Sequence, residues 1–135
     1  MVERRPASMR SPLGRVAGLG SAKDGTGHWW AQRLSAVALV PLTLWFLIGA
    51  LALPDFGYAS VHHWLARPVD GVLAALGVVV LAYHSHLGTT VIVEDYVHAP
   101  AAKLVTTVGL RFLHVLIGAA GIFAILRLTI GTPLT

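Results

Sequence analysis

The chain has 135 residues, of which 56% are hydrophobic and 12% are charged, and its formal net charge is +4. A soluble domain carries about a quarter charged residues, so this composition excludes an ordinary soluble protein and predicts a membrane protein. There are no cysteines, which excludes disulfides, cysteine-ligated iron–sulfur clusters and thiolate zinc sites from this chain.

Three stretches long enough to cross a membrane follow one another along the chain. Residues 34–53 and 71–93 hold 20 and 23 residues without a charge, and residues 104–126 hold 23 residues with one arginine. A helix needs about 20 apolar residues to cross a hydrocarbon core of about 30 Å. We therefore predict an all-α membrane protein with three transmembrane helices in an up-down-up bundle. The predicted organisation is an N-terminal arm and interface at 1–30, a transmembrane anchor domain at 31–127 and a C-terminal tail at 128–135.

Positive charges are concentrated before the first predicted span. The basic residues there are Arg4, Arg5, Arg10, Arg15, Lys23 and Arg33. In the loop between the first two spans, Arg67 is the only lysine or arginine. By the positive-inside rule, we expect the N-terminus in the cytoplasm and the C-terminal tail in the periplasm of a bacterial inner membrane. Topology thus explains the basic arm without any role for nucleic acid.

The connections between the spans are predicted to be short. Residues 54–68 contain aromatic and histidine side chains, so we expect a short segment lying in the membrane interface. The second span is predicted over 69–93, the inner loop over 94–102, and the third span up to Arg127.

His84 lies near the middle of the second predicted span. Its height is about 15 Å from the inner boundary at Glu94, which is about half the hydrocarbon thickness. An ionisable residue at this depth suggests a functional site. Gly77 and Gly88 share its helical face and leave a clear strip for a planar macrocycle, so a haem iron ligand is one hypothesis. A hydrogen bond to a neighbouring helix is the other. His86 lies about 200° around the helix and cannot face the same flat ligand.

A second polar group is predicted at the inner boundary. Asp95 follows His84 by eleven residues, so it lies about 20° around the same helix if the helix persists. Tyr96 is its neighbour, and Arg33 begins the first span on the same side. These groups suit the polar head of a lipid-soluble molecule, because tyrosine can donate to a carbonyl oxygen and arginine can stabilise negative charge. Interfacial anchoring with an exposed salt bridge is the alternative.

The third span also contains ionisable residues. Arg111 and His114 are three apart and lie on one face of the predicted helix. Arg111 lies about 12 Å beyond Lys103, a depth at which it must be paired, hydrated or directed towards the interface. An acidic cofactor group and a partner within the bundle are both open possibilities. His114 is the reserve candidate for an axial ligand.

The residues around His84 resemble a known family. The pattern His84-x-x-x-Gly88 followed by EDYVHAP at 94–100 is similar to the cytochrome b membrane-anchor subunit of succinate dehydrogenase (respiratory complex II). QRLSAVALVPL at 32–42 is similar to that family's entry into the first span. SPLGRVAGLGSAKDGTGHWW at 11–30 resembles its alphaproteobacterial members.

This resemblance implies specific roles. It makes His84 an axial ligand of a b-type haem shared with a second cytochrome b anchor subunit, which supplies the other histidine. It makes Tyr96 a hydrogen-bond donor to ubiquinone and Asp95 the neighbouring support of the quinone site. It places Arg33 near the haem propionates and the quinone pocket.

The resemblance also implies the partners. The chain would anchor a flavoprotein subunit and an iron–sulfur subunit to membrane lipid, with succinate oxidised on the flavin far from this chain. The isolated chain is then not expected to be catalytic. Two alternatives are the cytochrome b anchor of another respiratory dehydrogenase, which would pair several histidines across spans, and a small membrane module without redox chemistry.

Overall fold

Three long apolar helices form the body of the molecule. The computed structural model describes residues 11–17 and 25–130. Its helices are α1 (Pro12–Val16), α2 (Gly25–Leu51), α3 (Tyr58–Leu65), α4 (Pro68–Tyr96) and α5 (Pro100–Ile130). By length and hydropathy α2, α4 and α5 can each span a membrane, which confirms the three predicted spans. The predicted orientation of the N-terminus stays a prediction.

α4 and α5 extend beyond their predicted spans at both ends, and α2 extends beyond its predicted span at its start only. α2 already begins at Gly25, inside the predicted arm, and α1 forms a short helix within that arm. α5 continues to Ile130, three residues into the predicted C-terminal tail. The remainder of that tail, 131–135, and residues 1–10 and 18–24 of the predicted arm lie outside the described residues.

The inner loop is shorter than the nine residues predicted at 94–102. α4 continues through the charged pair to Tyr96, and the amide of Val97 still donates to the carbonyl of Val93. Pro100 begins α5, where a proline is tolerated because the first helical amides have no partner within the helix. Only residues 97–99 separate the two helices. The polar residues that suggested a loop therefore occupy the last turn of α4, where they can face water without ending the helix.

α4 is the central helix. It packs along α2 on one side and along α5 on the other, and α3 lies against α4 and α5. Small residues allow the close approach of α4 and α5. A Cβ atom on Gly118 would lie 3.5 Å from the Cβ of Ala82, and one on Gly121 would lie 2.9 Å from a methyl group of Val78.

The end of the bundle that contains α3, here called the α3 end, is joined by polar and aromatic contacts. Asp70, in the first turn of α4, accepts a hydrogen bond of 3.0 Å from the indole N–H of Trp45 on α2. Its other carboxylate oxygen pairs with Nε of Arg67 at 2.6 Å. The ring of Trp64 on α3 is buried, with its centroid 5.5 Å from that of Trp45. The hydrogen bond of Asp70 thus joins α4 to α2, and the ring of Trp64 packs α3 against α2.

Removing the carboxylate of Asp70 should destabilise the α3 end. In the Asp70→Ala variant the indole N–H of Trp45 loses its acceptor and Arg67 loses its counter-ion, so we expect the free energy of unfolding to fall by about 2 kcal/mol. Thermal unfolding in detergent micelles, followed by tryptophan fluorescence, measures this. Asp55→Ala, which alters an exposed carboxylate of the neighbouring connection, should have a smaller effect. Equal losses in the two variants would contradict the role given to Asp70.

The connection before α3 is ordered by Asp55. Its carboxylate accepts hydrogen bonds of 2.8 Å from the hydroxyl of Ser60 and from the amide of Gly57. Both bonds lower the pKa of Asp55 below its usual value, and the bond from Ser60 has the larger effect. Because the pKa is lower in the folded state, this stabilisation is present at neutral pH and is lost as the pH falls through the lowered pKa. The group is exposed, so the contribution is small.

Candidate functional site

His84 faces α2 from the centre of α4. Its Nδ1 atom lies 2.9 Å from the hydroxyl oxygen of Ser35. Ser35 is buried, with 7% of its surface exposed, and its oxygen lies 2.8 Å from the carbonyl oxygen of Ala31 and 3.0 Å from that of Gln32. The interhelical hydrogen bond that the sequence left open is therefore present. It occupies one ring nitrogen of His84, and no other hydrogen bond of that ring is formed within the described residues.

His86 faces the opposite side of α4, as the helical geometry predicted. Its ring centroid lies 5.5 Å from that of His114 on α5. The Nδ1 atom of His86 is buried without a hydrogen-bond partner in the described part of the chain. The two histidines of α4 thus contact different helices and cannot share one ligand.

His114 is less available as a ligand than His84. Its Nδ1 atom lies 2.7 Å from the carbonyl oxygen of Leu110, and its Nε2 atom lies 3.1 Å from the hydroxyl of Ser85. Since a carbonyl oxygen only accepts, the ring donates through Nδ1 and accepts the Ser85 hydroxyl at Nε2. Both ring nitrogens are therefore engaged.

Arg111, three residues before His114, is exposed and forms no ion pair with any residue between 25 and 130.

Of the two glycines that flank His84 on its helical face, only Gly77 has open space beside it. A Cβ atom on Gly77 would have no neighbour within 4 Å, whereas one on Gly88 would lie 3.4 Å from Nε2 of Gln32. The helix surface is thus open at Gly77, and at Gly88 the side chain of Gln32 lies within contact distance. Room for a planar macrocycle along this strip stays a prediction. Beyond His84 towards the α3 end, an apolar cavity of about 470 Å³ opens between the helices. It is lined in part by Gly77, Leu81, Leu39 and Leu42.

Asp95 and Tyr96 lie in the last turn of α4, at the end opposite to the α3 end. The helix is continuous from His84 to Tyr96. Asp95 therefore lies on the same side of α4 as His84, as the sequence predicted for an unbroken helix. Both side chains are exposed, Tyr96 by 80% of its surface. Neither forms a hydrogen bond or an ion pair with another described residue. Their phenol and carboxylate groups are free to contact a ligand or another protein chain.

Arg33 lies on α2 at the same end of the bundle. The pairs Ser35–His84 and Trp45–Asp70 show that α2 and α4 run antiparallel, so the start of α2 lies beside the end of α4. The guanidinium of Arg33 is 5.2 Å from the centre of the Trp29 ring, over which it stacks. Within the described residues it forms no ion pair with Asp95, so the salt bridge considered above is not formed.

Ser35 belongs to this site and was not predicted from the sequence. A hydroxyl within an apolar span is a visible signal, because a polar group in hydrocarbon requires a partner. The sequence gives no sign that this partner is a residue 49 positions further along the chain.

Comparisons with known proteins agree on one family. Residues 7–125 match the family described as succinate dehydrogenase/fumarate reductase transmembrane subunit. The succinate dehydrogenase hydrophobic membrane anchor subunit of Paracoccus denitrificans is 32% identical over 121 residues, covering 90% of this chain and 93% of that protein. The protein of the same name from Rickettsia bellii is 29% identical over 116 residues, covering 86% and 93%. No solved structure shows a significant match.

Proposed function

This chain belongs to the family of succinate dehydrogenase and fumarate reductase transmembrane subunits, and we propose that it helps to bind a b-type haem and forms part of a ubiquinone-reduction site. It is a multi-pass protein of the bacterial inner membrane. As a membrane anchor of succinate dehydrogenase it associates with the other subunits of that complex.

The observation that carries the haem proposal is the state of the His84 ring. One of its nitrogens is held by Ser35, and the other has no partner among the described residues. A metal-ligating histidine commonly uses one nitrogen for the metal and the other for a supporting hydrogen bond. The open side at Gly77 and the apolar cavity beside it provide the surface that a flat, apolar ring requires. These residues therefore fit the group, which when bound would supply a centre that takes up and releases one electron.

The second axial ligand is proposed to come from the second cytochrome b anchor subunit. Within the described part of this chain, His114 uses both ring nitrogens and His86 faces away from His84. Arg33, exposed near the start of α2, is proposed to meet the propionates or the quinone pocket, because a guanidinium pairs well with a carboxylate.

The quinone proposal concerns the end of α4. The phenol of Tyr96 can donate a hydrogen bond to a quinone carbonyl oxygen, and the carboxyl of Asp95 can hold a proton beside it. Quinone reduction consumes two protons, so a site at the membrane boundary suits the reaction. Both side chains are exposed in this chain alone, so the remaining walls of the pocket are proposed to come from the second anchor subunit and the iron–sulfur subunit.

The other subunits of the complex are proposed to carry out the steps outside the membrane. The flavoprotein subunit oxidises succinate outside the membrane, and the iron–sulfur subunit passes electrons to the quinone at the end of α4. The curated relatives carry the name succinate dehydrogenase, which supports this direction of reaction. This chain binds and orients the acceptor and holds the complex in the bilayer.

Removing the hydroxyl of Tyr96 tests the quinone site. In the Tyr96→Phe variant the purified complex should reduce ubiquinone about tenfold more slowly, because one hydrogen bond to the reacting carbonyl is worth about 1.4 kcal/mol. Reduction of an artificial dye by the soluble subunits should remain unchanged. Tyr58→Phe, at the α3 end, is the matched control and should leave both rates unchanged. An equal fall of the quinone and dye rates in Tyr96→Phe would contradict the proposed role.

A further inference from the structure

The position of one proton can be deduced at the contact between Ser35 and His84. The hydroxyl of Ser35 has a single hydrogen, and its oxygen lies within hydrogen-bond distance of the carbonyl oxygens of Ala31 and Gln32 as well as of Nδ1 of His84. The carbonyl oxygens can only accept. If the hydroxyl donated to His84, its oxygen would face two carbonyl oxygens at 2.8 Å and 3.0 Å with no hydrogen between them.

The opposite arrangement satisfies both the Ser35 hydroxyl and Nδ1 of His84. The hydroxyl donates to a carbonyl of its own helix, a common arrangement for serine within a helix. Its oxygen lone pair then accepts the N–H of His84, which places the imidazole proton on Nδ1. The Nε2 atom of His84 is left with its lone pair.

We propose that Ser35 is a positioning residue that fixes His84 in the tautomer with the proton on Nδ1, so that Nε2 presents its lone pair to a haem iron. This inference rests on the proposed haem ligation by His84. Haem iron binds a neutral imidazole through a lone pair, and a hydrogen bond from the other nitrogen fixes the ring and raises its basicity as a ligand.

The surroundings of Ser35 are suited to this role. The side chain is buried, so water does not compete for the hydrogen bond. Ser85, the nearest serine in sequence to His84, directs its hydroxyl to His114 instead. Ser35 is therefore the sole described residue that orients the His84 ring by a hydrogen bond.

The test is a series of substitutions at position 35 in the assembled, purified complex. Ser35→Ala removes the acceptor, and Ser35→Thr retains it. We expect Ser35→Ala to lower the affinity for haem about tenfold, measured as haem retained per flavin during dilution and washing. The weaker ligand favours ferrous over ferric iron, so the haem midpoint potential should rise, by about 59 mV for a tenfold change in the ratio of the two affinities. The electron paramagnetic resonance spectrum of the ferric haem should shift in the same variant.

The controls separate this role from a general structural one. Ser35→Thr should restore the wild-type potential, and Ser85→Ala should leave it unchanged. If Ser35→Ala prevents assembly, Ser35→Cys keeps the shape of the side chain with a weaker acceptor and should shift the potential in the same direction.

Two results overturn the inference, and they are distinguishable. A wild-type potential and spectrum in Ser35→Ala or Ser35→Cys, with the low-spin haem signal lost in His84→Ala, would exclude the role of Ser35 and keep the proposed function. An unchanged low-spin haem signal in His84→Ala would exclude haem ligation by His84, and with it the role of Ser35.

Discussion

Replacing His84 with alanine should abolish the low-spin haem spectrum of the purified complex. The variant lacks the proposed axial nitrogen, so we expect the haem content per flavin to fall about tenfold or more. Any haem that stays should be five-coordinate and should bind carbon monoxide, because one coordination position is open. A pyridine haemochrome assay measures the content, and the reduced-minus-oxidised spectrum with carbon monoxide measures the coordination.

The other histidines of the spans provide the controls for this prediction. His114→Ala removes a ring whose two nitrogens already bond to Leu110 and Ser85, so the haem spectrum should be retained. His86→Ala alters the face of α4 that contacts α5 and should also retain it. Loss of the spectrum in His114→Ala with retention in His84→Ala would move the ligand to α5 and contradict the proposed function.

A valine at position 49 should severely destabilise the α3 end. The ring of Trp64 packs directly on the backbone of Gly49, and a Cβ atom there would overlap it, lying only 2.7 Å from Cε2. Trp64 is buried, and the centroid of its ring lies 5.7 Å from that of Phe46 on α2, so the ring cannot move away freely. We expect Gly49→Val to lower the free energy of unfolding by about 3 kcal/mol, near the upper end of the cost of overpacking.

A matched glycine substitution tests whether the clash is the cause. Gly109→Val places the same side chain in a long helix where a Cβ has no neighbour within 4 Å, so it should be nearly neutral in the isolated chain. Thermal unfolding in micelles of both variants, followed by tryptophan fluorescence, measures the difference. Similar stability of the two variants would show that the contact between Gly49 and Trp64 is loose enough to adapt.

The spans were predictable because a bilayer imposes a simple requirement. A helix needs about 20 apolar residues to cross, and the three stretches that meet this requirement coincide with α2, α4 and α5. The helix ends were not predictable to the same accuracy. Charged residues such as Glu94 and Asp95 end the uncharged stretch, but charge alone does not end a helix, and α4 continues through both to Tyr96.

The candidate site was predictable in part for a related reason. The depth of His84 within an uncharged stretch identified it, and its angle to His86 followed from helical geometry alone. The partner of His84 did not follow, because the apolar residues of α2 show no preferred face and so do not specify which side meets α4. For the same reason, the contact between Gln32 on α2 and Gly88 on α4 could not be predicted.

The antiparallel pairing of α2 and α4 has a mechanical consequence. Within the described residues, two side-chain hydrogen bonds join these helices: Ser35 with His84, and Trp45 with Asp70. The two bonds are ten residues apart on α2, about 15 Å along its axis. A helix whose apolar residues have no preferred face could rotate about its axis at little cost in packing. Two hydrogen bonds at different heights along the helix oppose both this rotation and sliding along the axis. The orientation of the His84 ring therefore depends on the register of α2 against α4, which the bond between Trp45 and Asp70 also helps to set.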